Sequence, residues 1–241
     1  MLKIFETDNH VAQAVNDEMT KALNVAKPVF CLASGSTPAK GYDLFAKSTT
    51  QDLAHLQIVS LDEWVGIEQD NVGSCYQMLN QDLFSKINVK VEQITFYDGT
   101  ASNMDEECTR IDNFIIENPI TFSLMGVGMN GHIGLNEPGF PVVDYSSVVA
   151  LSDVTKNVAQ KYFTEQTHLE QGITLGLEQI IKSKRVLVVI TGEHKADIVK
   201  EIFTSESGLP AQCLLGYEHI DFYIDEAAAK YLDSASREVL L

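Results

Sequence analysis

Residues 121–139 read Thr-Phe-Ser-Leu-Met-Gly-Val-Gly-Met-Asn-Gly-His-Ile-Gly-Leu-Asn-Glu-Pro-Gly, and this stretch decides how the rest of the chain can be arranged. Its apolar start, residues 121–125, has the length and composition of a buried strand. Five glycines follow by residue 139, with Asn130, His132 and Glu137 among them. A polar, glycine-rich loop after a strand places its side chains at the carboxyl edge of a sheet, where open α/β folds bind ligands. The stretch therefore predicts a ligand site rather than an ordinary tight turn.

The same order of strand and helix recurs along the chain. Apolar runs predict strands at residues 28–33, 58–61, 94–97, 121–125, 148–151, 185–191, 213–215 and 222–224. Helical spacing predicts helices at residues 9–25, 74–86, 101–117, 155–163 and 178–183, with two more after Pro38 and Lys195. This alternation predicts an α/β fold, a doubly wound and mostly parallel sheet with helices on both faces. Without an internal repeat or a long linker, residues 1–241 are predicted to form one domain.

Loops that follow the parallel strands are expected to meet at one edge of the sheet. The predicted loops are residues 34–38, 62–64, 126–139 and 192–195, and they bring together Ser36, Thr37, Asp62, His132, Glu137 and Lys195. The first loop offers hydroxyls and free N–H groups at a helix N-terminus, an anion site that a nearby lysine makes suitable for phosphate. A carboxylate at this edge is a candidate general base, and a histidine can move protons near neutral pH.

Composition limits the classes of partner. The formal net charge of -17 argues against nucleic-acid and anionic-membrane binding, which need a basic face. The four cysteines are far apart without a Cys-x-x-Cys pair, which is typical of reduced thiols and not of a disulfide framework or zinc site. The N-terminus lacks the apolar segment of a signal peptide, and no apolar run is long enough for a membrane helix. These features predict a cytoplasmic protein.

One motif in the central loop suggests a different ligand. Residues 126–131 match Gly-x-Gly-x-x-Gly after a strand, the pattern of dinucleotide-binding sites. That pattern must open a long helix, and two more glycines and Pro138 follow within eight residues. We therefore interpret the match as accidental.

Four motifs together identify a family. They are Ser34-Gly35-Ser36-Thr37-Pro38, Leu61-Asp62-Glu63-Trp64-Val65, the run from Gly126 to Pro138, and Thr191-Gly192-Glu193-His194-Lys195. With these motifs the chain resembles the glucosamine-6-phosphate deaminase/isomerase family over nearly its whole length. The Glu137 before Pro138 separates it from the related 6-phosphogluconolactonases, which typically lack that glutamate.

Within the family, the chain is most similar to the galactosamine-6-phosphate isomerase branch. The cues are Trp64 where the glucosamine enzymes usually have tyrosine, Gly73-Ser74-Cys75, Gly134-Leu135-Asn136, and residues 172–177. The expected reaction is conversion of galactosamine 6-phosphate to tagatose 6-phosphate and ammonia. The alternative is deamination of glucosamine 6-phosphate to fructose 6-phosphate.

The resemblance also implies roles for particular residues. Asp62 would transfer the proton between two sugar carbons, and His132, held by Asn130 and Glu137, would serve ring opening. Phosphate would bind to the loop Ser34, Gly35, Ser36 and Thr37, to Lys195 and to Lys161. No cofactor and no metal are expected.

Three departures from the family pattern matter. Asn130 stands where many members have aspartate, and Lys161 stands where an arginine usually helps to bind phosphate. Residues 142–147 lack the arginines expected there, so we predict no allosteric activation by an amino-sugar phosphate. More distant alternatives are a lactonase, and a sugar-phosphate sensor without the helix-turn-helix that such regulators carry. Family members are often oligomers, which leaves homo-oligomerisation open.

Overall fold

Seven parallel strands form the central sheet of the computed structural model, which describes residues 1–238. The strands of this sheet are β1 Leu2–Phe5, β2 Val29–Leu32, β3 Gln57–Ser60, β5 Ile94–Thr95, β6 Phe122–Gly126, β9 Val186–Ile190 and β10 Ile220–Asp225. Their order across the sheet is β1–β10–β9–β6–β2–β3–β5, and each neighbouring pair is parallel. A second, antiparallel sheet has the order β4–β8–β7, with β4 Asp62–Trp64, β7 Ser147–Ala150 and β8 Gln171–Thr174.

Eight α-helices accompany the strands within residues 1–238. They are α1 Asp8–Ala22, α2 Ser36–Ser48, α3 Cys75–Asp82, α4 Met104–Glu117, α5 Asp153–Ala159, α6 Leu177–Ile181, α7 Ala196–Thr204 and α8 Ser234–Glu238. Short 3₁₀ segments lie at Phe84–Lys86, Val91–Gln93, Gln160–Tyr162, Glu193–Lys195 and Pro210–Leu214. The predicted single domain also includes residues 239–241, which lie outside the described part.

Strand β9 explains why helices cover both faces of the main sheet. Its five residues are all buried, and successive side chains of a strand point to opposite faces. Leu187 and Val189 belong to the core that includes side chains of α1, α2 and α3. Val186, Val188 and Ile190 belong to the core that includes side chains of α4, α6 and α7. The prediction of a doubly wound α/β fold is confirmed.

The main sheet reverses its winding direction between β2 and β6. From β2 the chain adds β3 and β5 on one side, then returns to place β6 on the other side, followed outward by β9. At such a reversal the loops after the two central strands diverge and leave a crevice. The loop after β2 and the loop after β6 carry the first and third motifs of the sequence, so the fold places both motifs at one crevice.

The second sheet corrects three predictions. Residues 62–64, expected as a loop, form β4, and the predicted strand at residues 148–151 exists as β7 but pairs outside the main sheet. Residues 171–174, which were not predicted as a strand, form β8 between them. Strands of three or four residues are too short to be identified by hydrophobic alternation. The sequence pattern therefore did not predict a second sheet apart from the main one.

Two further predictions about strands differ from the structure. Leu2–Phe5 forms an edge strand beside β10 that was not predicted, since four residues with only Leu2 fully buried give little signal. The predicted strand at residues 213–215 is wrong, because Pro210 opens a 3₁₀ segment there. Leu214 is fully buried, so its apolar character reflects core packing and not strand pairing.

The predictions from cysteine spacing and hydropathy can also be compared with the structure. All four cysteines are unpaired, and Cys31, Cys75 and Cys108 are buried. Among residues 1–238, no helix combines the length and the apolar character needed to cross a bilayer.

Candidate active site

A cavity of about 400 Å³ opens at the carboxyl edge of the main sheet, between the loops that follow β2 and β6. The predicted site residues that line it are Ser34, Gly35, Ser36, Thr37, Asp62, His132, Lys161 and Lys195. Asn130 and Glu137 do not line the cavity and instead hydrogen-bond each other behind His132. Within residues 1–238, no three His, Cys, Asp or Glu side chains are grouped to hold a metal ion.

Asp62 and the adjoining Cys75 line one side of the cavity, and we call these two residues the aspartate wall. Its side chain is only 8% exposed, and no N–H group of residues 1–238 donates a hydrogen bond to its carboxylate. Burial raises the pKa of Asp62 to about 7, and the Cys75 thiol opposes this rise. A carboxylate with a pKa near 7 is suited to accept and return a proton near neutral pH.

The neighbouring Glu63 has a different environment, because adjacent strand residues point to opposite faces. Its Oε1 accepts hydrogen bonds from the backbone N–H groups of Trp64 (2.8 Å) and Cys75 (2.9 Å), and its Oε2 accepts one from Tyr76 (3.0 Å). Two of these donors belong to the first turn of α3, whose N–H groups have no partner within the helix. Glu63 therefore holds α3 against β4 and does not line the cavity.

His132 and Thr155 line a second side of the cavity, with Asn130, Glu137 and Ser152 behind them, and we call these five residues the histidine wall. The Asn130 amide donates from Nδ2 to Glu137 Oε2 at 2.7 Å, and its Oδ1 accepts from the His132 backbone N–H at 3.3 Å. A carboxylate only accepts and a backbone N–H only donates, so these two contacts fix the orientation of the amide. Glu137 Oε2 lies 3.8 Å from His132 Nδ1.

Ser152 and Thr155 were not predicted as site residues from the sequence, although they contact Glu137 and His132 directly. Thr155 Oγ1 lies 3.1 Å from His132 Nδ1, and the Ser152 backbone N–H donates to Glu137 Oε1 at 3.2 Å. Ser152 is the N-cap of α5, where its Oγ accepts from the Thr155 backbone N–H at 3.2 Å. A serine before a helix start is a capping signal that could have identified Ser152 as the N-cap, but no local signal indicates the contacts with Glu137 and His132.

The His132 ring packs directly against Gly128. A Cβ added at that glycine would lie 2.2 Å from the ring, so only glycine allows this approach. Burial lowers the pKa of His132 to about 4; the Glu137 carboxylate opposes the change, and Lys195 adds to it. His132 is therefore neutral at about pH 7.

The third part of the cavity is rich in positive charge and unpaired N–H groups. Helix α2 begins at Ser36 after Gly35, whose φ of 100° lies in the region that glycine adopts most easily. The N–H groups of its first turn have no partner within the helix and favour an anion. Tyr162 approaches Gly35 closely, since a Cβ there would lie 3.0 Å from the phenol oxygen.

Two lysines complete this anion-binding region. Lys195 is 8% exposed, and its Nζ donates to the backbone carbonyl of Val127 at 2.6 Å. Burial lowers the pKa of Lys195 to about 8, and repulsion by Lys161 adds to the effect. Lys161 is exposed at the rim, with its Nζ 4.8 Å from the centre of the Tyr162 ring. An anion bound here would relieve the repulsion between the lysines.

Comparisons with known proteins show the family of the chain. Residues 6–221 match the family model described as glucosamine-6-phosphate isomerases/6-phosphogluconolactonase. The chain belongs to this family. A glucosamine-6-phosphate deaminase from Streptococcus pyogenes serotype M18 is 35% identical over 205 residues, which cover 84% of this chain and 86% of the relative. A glucosamine-6-phosphate deaminase from Lacticaseibacillus paracasei is 31% identical over 234 residues, which cover 96% of this chain and 98% of the relative.

Solved structures give the same result for the fold. A monomeric glucosamine-6-phosphate deaminase superposes with a TM-score of 0.90 at 26% identity, covering 95% of this chain and 98% of the other. The 6-phosphogluconolactonase of Trypanosoma brucei superposes with a TM-score of 0.77 at 20% identity, covering 97% and 98%, a likeness of fold alone. The family prediction is confirmed, and the protein is an enzyme of the glucosamine-6-phosphate deaminase family. The galactosamine branch is not distinguished by these relatives.

Proposed function

We propose that the protein is a glucosamine-6-phosphate deaminase, which converts glucosamine 6-phosphate to fructose 6-phosphate and ammonia. The predicted galactosamine reaction thus becomes the second candidate, because the named relatives act on the glucosamine compound. The observation that carries the proposal is that one cavity holds both a carboxylate with a raised pKa, Asp62, and a neutral histidine held by hydrogen bonds, His132. A phosphate site lies at the N-terminus of α2, and together these features fit an amino-sugar phosphate.

The proposed reaction needs a base that can take and return one proton. After the sugar ring has opened with the help of His132, Asp62 takes the proton from C2, the carbon that bears the amine. It then returns that proton to C1, which leaves an imine at C2. Water hydrolyses the imine to a ketone and releases ammonia. The raised pKa of Asp62 suits both halves of this transfer, since the group must accept and release the proton at similar pH.

The phosphate would bind to the N–H groups at the start of α2 and to Lys195, with Lys161 at the rim. This short-range cluster has to overcome the long-range repulsion of an anion by a chain of net charge -17. Lys161 supplies a point charge without the two-pronged hydrogen bonding of an arginine. Because it is exposed at the rim, its contribution is expected to be smaller than that of the buried Lys195.

Four of the residues that suggested the galactosamine branch line the cavity: Trp64, Cys75, Gly134 and Leu135. The Trp64 ring is fixed by a hydrogen bond from Nε1 to the Gly73 carbonyl at 3.1 Å. Residues that differ between branches and contact the substrate can choose between epimers. This observation keeps galactosamine 6-phosphate as the second candidate substrate.

The deciding experiment measures ammonia released by the purified protein from glucosamine 6-phosphate and galactosamine 6-phosphate in parallel. Faster release from the glucosamine compound is the expected result. Faster release from the galactosamine compound would keep the chemistry and reverse the choice of epimer. Release from neither, together with hydrolysis of 6-phosphogluconolactone, would replace the proposal with a lactonase. Binding of a hexosamine phosphate without turnover would point to a sensor.

A further inference from the structure

The hydroxyl groups of Ser152 and Thr155 form a chain that ends at His132. Ser152 Oγ accepts from Asn130 Nδ2 at 3.1 Å and from the Thr155 backbone N–H at 3.2 Å. A hydroxyl group has two acceptor lone pairs and one hydrogen, so both lone pairs of Ser152 are used. Its hydrogen is then donated to the remaining neighbour, Thr155 Oγ1, at 3.1 Å.

The direction of the next hydrogen bond follows from the burial of Thr155. Thr155 is only 3% exposed, so its hydroxyl hydrogen needs a hydrogen-bond acceptor inside the protein. Among residues 1–238, Thr155 Oγ1 is within hydrogen-bond distance of Ser152 Oγ and His132 Nδ1 alone. Because Ser152 already donates to it, Thr155 donates its hydrogen to Nδ1.

We infer that Thr155 is a positioning residue that fixes the tautomer of His132, with the proton on Nε2 and the lone pair on Nδ1. Nε2 has no hydrogen-bond partner among residues 1–238, and the ring lines the cavity. His132 therefore presents an N–H donor to a bound ligand. A neutral imidazole can act as an electrophile by donating such a hydrogen bond to a sugar oxygen. This use of the donor rests on the proposed function, whereas the tautomer does not.

The charged groups around His132 are compatible with this assignment. Glu137 Oε2 lies 3.8 Å from Nδ1 and is already bonded to Asn130 at 2.7 Å, so Glu137 competes weakly with Thr155 for that side of the ring. Lys195 disfavours a second proton on the ring, and burial acts in the same direction. If Nδ1 carried the proton instead, the buried Thr155 hydrogen would lose its acceptor, which is unfavourable.

The direct test is nitrogen NMR of the full chain labelled with ¹⁵N-histidine, at about pH 7. The His132 signals are assigned as those lost in His132→Gln. We expect wild type and Thr155→Ser to have the proton on Nε2, because both keep the hydroxyl. Thr155→Val keeps the shape without the hydroxyl, and we expect the Nδ1-protonated tautomer to grow, since Glu137 then becomes the nearest partner of Nδ1. Wild-type signals from an Nδ1 proton, or an unchanged tautomer in Thr155→Val, would overturn the inference.

Kinetics provide a second measurement that separates positioning from general structural damage. Thr155→Val is expected to lower kcat for the hexosamine phosphate by about tenfold, the worth of one hydrogen bond, with little change in KM. Thr155→Ser should restore kcat. Thr109→Val removes a hydroxyl that bonds only within α4 and serves as the matched control. Should Thr155→Val fail to fold, Thr155→Ala removes the same hydroxyl, and the Nδ1-protonated tautomer must grow in its NMR spectrum as well.

The two proposals fail in distinguishable ways. Absence of ammonia from both hexosamine phosphates with the wild-type protein would remove the proposed function, and the NMR result would still decide the tautomer. A proton on Nδ1 in an active wild-type enzyme would remove the inference and leave the deaminase proposal intact.

Discussion

The two walls of the cavity treat their ionisable groups in opposite ways. On the aspartate wall, Asp62 is buried without a hydrogen bond from any N–H group of residues 1–238. On the histidine wall, Glu137 accepts from Asn130 and Ser152, and His132 contacts Thr155. A buried carboxylate without N–H donors holds its proton more tightly, as the raised pKa of Asp62 shows. The donors around Glu137 instead hold its side chain in place beside His132.

The same contrast exists between two consecutive residues. Glu63 has three backbone N–H partners and Asp62 has none, although both are buried carboxylates on β4. Burial raises the pKa of both carboxylates to about 7, so what differs is their position: Glu63 caps α3, and Asp62 faces the cavity. Five substitutions test this contrast, and their expected effects decrease in the order Asp62→Asn, Glu63→Gln, Lys195→Arg, Asn130→Asp and Cys75→Ala.

Asp62→Asn is expected to have the largest effect on turnover. The amide has nearly the same shape but cannot take a proton from carbon, so kcat should fall by about a hundredfold to ten-thousandfold. The fall in kcat is measured as steady-state ammonia release, and circular dichroism checks that the fold is retained. Turnover within threefold of wild type would mean that Asp62 is not the base.

Glu63→Gln is the matched control for that change. It should keep most of the turnover and lower the free energy of unfolding by about 1–3 kcal/mol, because the new NH₂ group cannot accept from the N-terminus of α3. Urea denaturation measures this loss. Equal loss of turnover in both variants would erase the distinction between the two carboxylates.

The pH dependence of kcat/KM should reflect one group from the aspartate wall and one from the anion-binding region. With increasing pH, kcat/KM should rise as Asp62 loses its proton at about pH 7. It should then fall as Lys195 loses its charge at about pH 8. Lys195→Arg keeps its charge at any accessible pH, so the fall should disappear while the rise remains. A variant that retains the fall would assign it to another group.

Asn130→Asp tests whether the histidine wall depends on a neutral donor. The new carboxylate would face Glu137 where a 2.7 Å hydrogen bond exists now, and two such groups must share a proton. The pKa of the pair is then raised in the folded protein, so stability is retained at low pH and falls as pH rises above the carboxylate pKa of the unfolded chain. We expect a loss of about 1–3 kcal/mol at about pH 8, measured by urea denaturation at both pH extremes. A pH-independent difference from wild type would contradict this account.

Cys75→Ala should have the smallest effect. The thiol lowers the pKa of Asp62, so its removal should move the rising part of the pH profile to higher pH. Because a thiol is a weak hydrogen-bond donor, its loss should reduce kcat/KM by about twofold to fivefold below pH 7, with little change above it. A reduction of equal size at every pH would indicate a packing defect instead.

Much of this architecture could be predicted because the strongest signals are local. The buried strands β2, β6 and β9 are continuous apolar runs, and the loops after them contain the polar and glycine residues that form the cavity. Parallel strands bring such loops to one edge, so the grouping of Asp62, His132 and Lys195 followed from topology. Their assigned roles remain proposals.

The parts that could not be predicted depend on contacts between distant segments. Strand β4 exists because it pairs with β8, more than a hundred residues away, and three residues carry no alternation of their own. Thr155 contacts His132 only because α5 packs over the loop after β6. The epimer of the substrate is a comparable case, since it depends on a few hydrogen bonds to one hydroxyl group.

Thr174 links the two walls through the backbone. It pairs with Asp62 in the second sheet, and its Oγ1 accepts a hydrogen bond from the Leu135 backbone N–H at 3.1 Å, within the loop that carries His132. Strand pairing and one buried threonine thus tie the backbone at Asp62 to the loop that carries His132. If both residues have the roles proposed for them, proton transfer and sugar recognition depend on different parts of the scaffold, and the mouth of the cavity can be redesigned for another sugar without moving the two groups apart.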